Sequence, residues 1–312
     1  MPRKPTINEV SLRSLGPKRL AALLLEVCQR DDVIEKKVCL LLAAKGGSDA
    51  LDAELTKRIK GLATERLFYD WREACDLVRT IADIRANITD ELGGKDVRAA
   101  GARLWQLIDV ANGIMQHVDD SSGMVCDSLR GTVADLGLLL KRAGIDDAAA
   151  LAKRVHASLL DNGYCAKDGL VQAVAAPLGP EGRAALRKHF EDDLTRLTSA
   201  SAPTSDRRDD SGREYLRGVV TRGLLDLADA EGDVDAFLRA AELSPYMWAH
   251  VDEAAERLLK AKRPGEALAW LEALAQPLYI WLFGLAGYGL ELLFPVIILG
   301  DAVAIRLGLL GR

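Results

Sequence analysis

GDVDAFLRAAEL at residues 232–243 and RPGEALAWLEAL at residues 263–274 decide how this chain folds, because the second is a degenerate copy of the first, 31 positions further on. Each follows a polar turn, places an acid directly before an alanine (Asp235-Ala236, Glu266-Ala267) and ends on leucine. Each is preceded by apolar residues at three- and four-residue spacing, Tyr215 to Ala230 and Tyr246 to Lys260, so each unit reads as helix-turn-helix. A small alanine at the crossing lets two antiparallel helices approach closely, while leucine and tryptophan fill the groove between them.

The same helical spacing runs upstream. Ser14-Leu15-Gly16-Pro17 opens a helix carrying Leu20, Leu23, Leu24, Val27 and Cys28, and Asp31-Asp32 opens another that Gly46-Gly47 stops. Further helices are expected from Leu51 to Ile59, along a stripe with Leu67, Trp71, Cys75, Val78, Ile81 and Ile84, and from Val97 to Val118. Four more are expected at Val125–Arg142, Asp147–Leu160, Lys167–Ala176 and Glu181–Leu197. No stretch alternates with period two between hairpin turns, so the expected class is all-α with an α-solenoid-like helical-repeat architecture. TSASAPTSDRRDDSGR at 198–213 has no apolar residue larger than alanine and reads as a linker. The expected domains are therefore 1–197, a helical domain; 198–213, the linker; 214–276, the repeats; and 277–312, an apolar tail.

Residues 214–277 resemble degenerate tetratricopeptide-type repeats, with Gly232, Ala236, Pro245, Ala267 and Pro277 near the positions that family uses, although the first unit is short. The wider chain resembles an uncharacterised bacterial helical-repeat family described only as a domain of unknown function. SLGPKRLAALLLEVC (14–28), VDDSSGMVCDSL (118–129) and AKRPGEALAWLEA (261–273) carry that resemblance, which ends near residue 275. It implies a helical-repeat body and a bacterial source, and no activity.

Composition excludes more than it assigns. A net charge of −5 gives no basic footprint, so no nucleic-acid partner is expected. Aromatic residues make up 5%, which suits packed helices better than a β-sandwich. The five cysteines (Cys28, Cys39, Cys75, Cys126, Cys165) form no C-x-x-C pair and read as small buried hydrophobes in a reducing compartment. MPRKPTINEV lacks an apolar core, so nothing marks a secretory signal and a cytoplasmic body is the default.

No catalytic, cofactor or metal residue is assigned. His117-Val118-Asp119-Asp120-Ser121-Ser122-Gly123 is the most site-like text, yet a calcium loop starting at Asp119 would place Ser121, Gly123 and Arg130 at ligand positions. It reads as a helix end followed by a capping turn. His117, His156, His189 and His250 stand far apart, and no nucleotide-binding or nucleophile-elbow motif occurs. Trp71, Trp105, Trp248 and Trp270 fall on apolar stripes and are expected in the core; Trp248 and Trp270 are also the candidates for a partner-binding groove.

The tail is written differently. PLYIWLFGLAGYGLELLFPVIIL at 277–299 holds one charge, Glu291. Thirteen residues of Leu278–Leu299 are Leu, Ile, Val or Phe, worth roughly −4 to −8 kcal/mol for insertion, against about 2.5–3.5 kcal/mol for a mid-span acid. The candidate anchor comprises Tyr279 and Trp281 at an interface, Phe283 and Phe294 in the apolar span, Glu291 facing a partner helix or cavity, and Pro295 at a kink. Three readings stand: a single membrane anchor, a pair of packed terminal helices split at Gly287-Tyr288-Gly289, and an altered reading frame. The functional expectation is a non-enzymatic scaffold or adaptor for a protein partner, tethered through 278–299 to the inner face of a bacterial membrane. The alternative is an enzyme whose site gathers dispersed Asp, Glu and His across helices.

Overall fold

Leu51, Leu55 and Ile59 recur every four residues, and all three are fully buried on one face of a single helix, an arrangement shared by the helices that build the core. The computed structural model describes residues 6–64, 68–199 and 207–272. In chain order the helices are α1 (Glu9–Arg13), α2 (Gly16–Cys28), α3 (Asp32–Gly46), α4 (Ser48–Thr64), α5 (Ala74–Ala86), α6 (Gly93–Lys95), α7 (Val97–Asp109) and α8 (Ala111–Met115). They continue with α9 (Met124–Ala143), α10 (Ala148–Leu160), α11 (Leu170–Ser199), α12 (Arg207–Glu231), α13 (Val234–Leu243), α14 (Val251–Lys260) and α15 at 264–272. A π-helical turn (Asn87–Leu92) and a 3-10 turn (Met247–His250) complete the set. Among the described residues there is no strand, only an isolated parallel bridge between Tyr69 and Val118.

The chain forms two compact units. The first is Met1–Asp146 with Asp161–Pro177, and the second is Asp147–Leu160 with Leu178–Arg312. The division falls at 146/147, 160/161 and 177/178. Thr198 and Ser199 of the expected linker end α11, and residues 207–213 begin α12. Its centre, 200–206, lies outside the described residues.

In the first unit, aspartates set the helix starts. Asp31 accepts the amides of Val33 and Ile34 at the start of α3, and Asp96 accepts those of Arg98 and Ala99 at the start of α7. The core is built from α4, α5, α7 and α9, with Ile81, Ile84, Ile88, Leu92, Leu104 and Leu136 each no more than 1% exposed. Each such side chain contributes about 1.5–3 kcal/mol through burial. Arg85 joins α5 to α9 through Asp135 at 2.7 Å and the Ser128 carbonyl at 3.1 Å, and Gly131 leaves the space that its guanidinium occupies.

Two expectations need correction here. The apolar pattern from Val97 to Val118 is not one helix: α7 ends at Asp109, and residues 117–119 leave helical geometry to pair with Tyr69, whose amide donates to the His117 carbonyl at 2.8 Å. The stripe expected from Leu67 begins its helix only at Ala74, so Trp71 is 61% exposed with the Arg72 guanidinium over its ring, while Trp105 is in the core.

In the second unit, α12 and α13 form an antiparallel pair, and α14 with α15 repeats the pattern. The two turns that close these pairs share one geometry. Gly232 takes φ +69° and the Asp233 amide donates to the Ala228 carbonyl; Lys262 takes φ +61° and the Arg263 amide donates to the Leu258 carbonyl, both at 2.9 Å. These are the same six-to-one helix terminator. The turns match at an offset of 30 (232 to 262), so the hydrogen-bond register is one residue shorter than the 31 that best aligns the side chains. Phe237, not Ala236, thereby corresponds to Ala267.

Candidate functional site

Among the described helices of ten residues or more, α2 alone buries none of its residues. It is 13 residues long and carries Pro17 in its first turn. Leu23, Leu24, Leu25 and Val27 are exposed, Leu25 by 66%. The neighbouring α3 packs on it, buries only Leu40 and Ala44, and leaves Leu41 and Leu42 exposed. An isolated helix of this length is marginal in water. An exposed aliphatic surface of this kind marks a place of contact. Full burial of each of these leucines is worth about 1.5–3 kcal/mol.

The polar loops of the first unit gather around the start of α9. The Asp120 carboxylate accepts the amides of Val125 and Cys126 at 3.0 and 2.8 Å, and Asp119 accepts that of Ser121, so this segment is the capping turn the sequence suggests. Cys126 and Arg130 lie one turn apart on α9 and hold two successive carbonyls of the loop that follows α10: Tyr164 O at 3.6 Å from Cys126 Sγ, and Cys165 O at 3.0 Å from Arg130 Nε. That loop is stapled by Lys167, 1% exposed, whose Nζ donates to the Asp161 carbonyl and carboxylate. Asn162 binds the Lys167 amide and Asp168. Burial pushes the thiols of Cys126 and Cys165 above the ordinary range. The cysteines are not uniformly buried as expected: Cys126 is, but Cys39, Cys75 and Cys165 are exposed, because their helical stripes face solvent or lie in loops.

The second unit contains two histidine networks. Ser244 Oγ lies 3.3 Å from His250 Nε2, and His250 Nδ1 lies 3.5 Å from Glu253, the connectivity of a hydrolase relay. The serine, however, is 5% exposed and its oxygen accepts the Tyr246 amide at 3.1 Å. The network therefore ties the end of α13 to the 3-10 turn rather than presenting a nucleophile. Burial lowers the His250 pKa, keeping the ring neutral in the fold, with Glu253 working the other way. Elsewhere His156 Nε2 meets Asp193 at 2.7 Å and stacks on His189. Among the described residues, no group of three His, Cys, Asp or Glu is placed to hold a metal ion. An open cleft of about 710 Å³ between α3 and α5 is lined by charges that pair among themselves, Lys37 with Asp83 and Arg79 with Asp76, both at 2.8 Å.

Of the residues singled out in sequence, Trp248 is 69% exposed on the 3-10 turn, whereas Trp270 packs beside Ala255, Leu258 and Ala267. The anchor candidates Tyr279, Trp281, Phe283, Glu291, Phe294 and Pro295 lie outside the described residues. No described helix is long and apolar enough to cross a membrane. Sequence reasoning missed the α2–α3 surface. Its signal was the run Leu23-Leu24-Leu25 followed by Val27, too apolar on all sides for a helix with one buried stripe.

Fold and site together define an all-α protein of packed helix pairs with an uncovered aliphatic hairpin near its start. Within that class the chain belongs to a family of unknown function, DUF6880, whose model matches residues 2–279. No curated protein and no solved structure matches it.

Proposed function

We propose that this protein is a non-enzymatic helical-repeat adaptor that receives the amphipathic helix of a partner protein on the α2–α3 hairpin. The exposure of Leu23, Leu24, Leu25, Val27, Leu41 and Leu42 on two adjacent helices carries the reading. The occupant is a helix because exposed leucine ridges on a helical hairpin are matched by the leucine ridges of another helix. The recurring turns of the second unit and their likeness to tetratricopeptide repeats support a scaffold, with Trp248 as a second contact. The tail 278–299 would tether this body at the inner face of a bacterial membrane, a reading supported by its composition alone.

The test compares the wild type with a Leu24→Glu/Leu25→Glu/Leu42→Glu variant of unchanged helicity and melting. Each is used to capture and cross-link proteins from the source lysate. A protein retained by the wild type through cross-links to residues 16–46, and lost from the variant, supports the adaptor. An identical set of captured proteins from both refutes it.

A further inference from the structure

We infer that Cys126 and Cys165 form a disulfide by exchange with a low-molecular-weight disulfide, making this pair a covalent modification site in the first unit. The geometry begins with α9. Cys126 donates to the Tyr164 carbonyl at 3.6 Å, and Arg130, one turn further along the same helix, donates to the Cys165 carbonyl at 3.0 Å. The Cα of Cys165 lies between those two carbonyls, so both sides of its backbone are held on the face of α9 that carries the Cys126 thiol. Standard peptide dimensions put the Tyr164 oxygen about 2.8 Å from the Cys165 Cα, so the Cys126 Sγ, 3.6 Å from that oxygen, lies at most about 6.4 Å from the Cys165 Cα. A disulfide tolerates Cα separations up to about 6.8 Å.

Cys165 is also held in place. It takes φ +58°, the left-handed region that a residue with a Cβ enters at a cost. Its amide donates to Asn162 O at 3.1 Å, and its carbonyl accepts from both Arg130 and the Asp168 amide. Asn162 is in turn fixed by Lys167 and Asp168. The two thiols are close enough that charge on Cys165 raises the pKa of Cys126, a smaller effect than burial.

The chemistry follows from exposure. Cys165 is exposed and Cys126 buried, so Cys165 meets the oxidant first. Its thiolate attacks one sulfur of the small disulfide, forming a mixed disulfide and releasing one small thiolate. The Cys126 thiolate then attacks the Cys165 sulfur, forming the internal bond and releasing the second thiolate. The two protein thiols are oxidised by two electrons, the small disulfide is reduced to two thiols, and the protein's two protons go to the leaving thiolates.

The experiment uses the full reduced chain and oxidised glutathione as the probe, with thiols then blocked by N-ethylmaleimide and the protein read by mass spectrometry. A proteolytic peptide pair joining Cys126 to Cys165, with both residues unblocked, is the expected result. The Cys126→Ser variant should accumulate glutathione on Cys165, because the resolving thiol is gone. Wild type that carries glutathione on Cys165 as stably as the variant, or that blocks at both Cys126 and Cys165 throughout, overturns the proposal. The wild-type peptide pair decides the question even where the variant folds poorly.

Discussion

Gly137 is the position where the packing of the first unit is most exposed to a single methyl group. On α9 it faces the start of α11, and a Cβ built there would lie 2.9 Å from the Ala173 carbonyl carbon and 3.1 Å from the Ala173 Cβ, nearer still to the carbonyl oxygen. That carbonyl has no helical amide at the usual position, because the residue four positions on is Pro177, which has no N–H. Carbon atoms rest at about 3.5–4.0 Å, so Gly137→Ala requires α9 and α11 to separate by roughly 0.6–1 Å. Both sides of the contact are helix backbone, which places the overpacking cost near the top of the usual range, about 3 kcal/mol. The alanine returns about 1 kcal/mol of helix propensity, leaving a net loss of about 2 kcal/mol. With a urea slope of about 2 kcal/mol per molar, the unfolding midpoint of the first unit should fall by about 1 M. Amide exchange along α9 should quicken alongside. Gly101→Ala is the control: nothing lies within 4 Å of its added Cβ in the interior of α7, and the midpoint should rise. A Gly137→Ala midpoint equal to or above the wild type would show that the two helices do not approach this closely.

Four further outcomes are expected. Asp120→Ala removes the acceptor for two orphan amides at the start of α9 and should cost about 1 kcal/mol in urea unfolding. Lys262→Gly relieves a left-handed lysine at the helix terminator and should stabilise the second unit by up to about 1 kcal/mol, seen as a raised melting temperature. His250 has a folded pKa below its free value of 6.5, so the unfolded chain binds the proton more readily; the stability it contributes is present above about pH 6.5 and lost as pH falls below that. His250→Gln should flatten that acid-side slope in melting temperature measured from pH 7 to 5. The Cys126 thiol is raised by burial, so its alkylation should be slow at pH 8 and accelerate as pH rises.

The helices were legible wherever one stripe meets one core. Leu51, Leu55 and Ile59, or Leu129, Val133 and Leu136, carry their spacing in the sequence and land in the interior. Asp31 and Asp120 announced helix starts because a capping carboxylate acts close to its own turn, whereas Asp96, which does the same for α7, went unread. What failed depends on partners far away in sequence. Trp71 looked like core by spacing, but Tyr69 is paired to residues 117–119, which takes its neighbours out of helical geometry. The excursion of residues 147–160 into the second unit leaves no local trace, since α10 is an ordinary amphipathic helix. The two turns share a geometry at an offset of 30, whereas the side-chain match in the sequence falls at 31, because alanine matches and backbone hydrogen bonds count positions differently. For the site, spacing showed that α2 is apolar but not that the fold leaves it uncovered, and Ser244, His250 and Glu253 meet only because a short 3-10 turn brings them together.

The chain's route through its two units has a consequence for its synthesis. The ribosome releases residues 1–146 first, but the first unit also needs 161–177, which follow only after α10 has emerged. The docking surface for Gly137 is supplied by Ala173, so α9 waits for a stretch made later. Completion of the first unit is therefore timed by the second, whose own earliest helix must be held in readiness until residue 178 and beyond arrive. No single cut yields either unit whole and free of a segment of the other, and an abandoned translation product ending before residue 161 should be a substrate for chaperones and proteases rather than a folded domain.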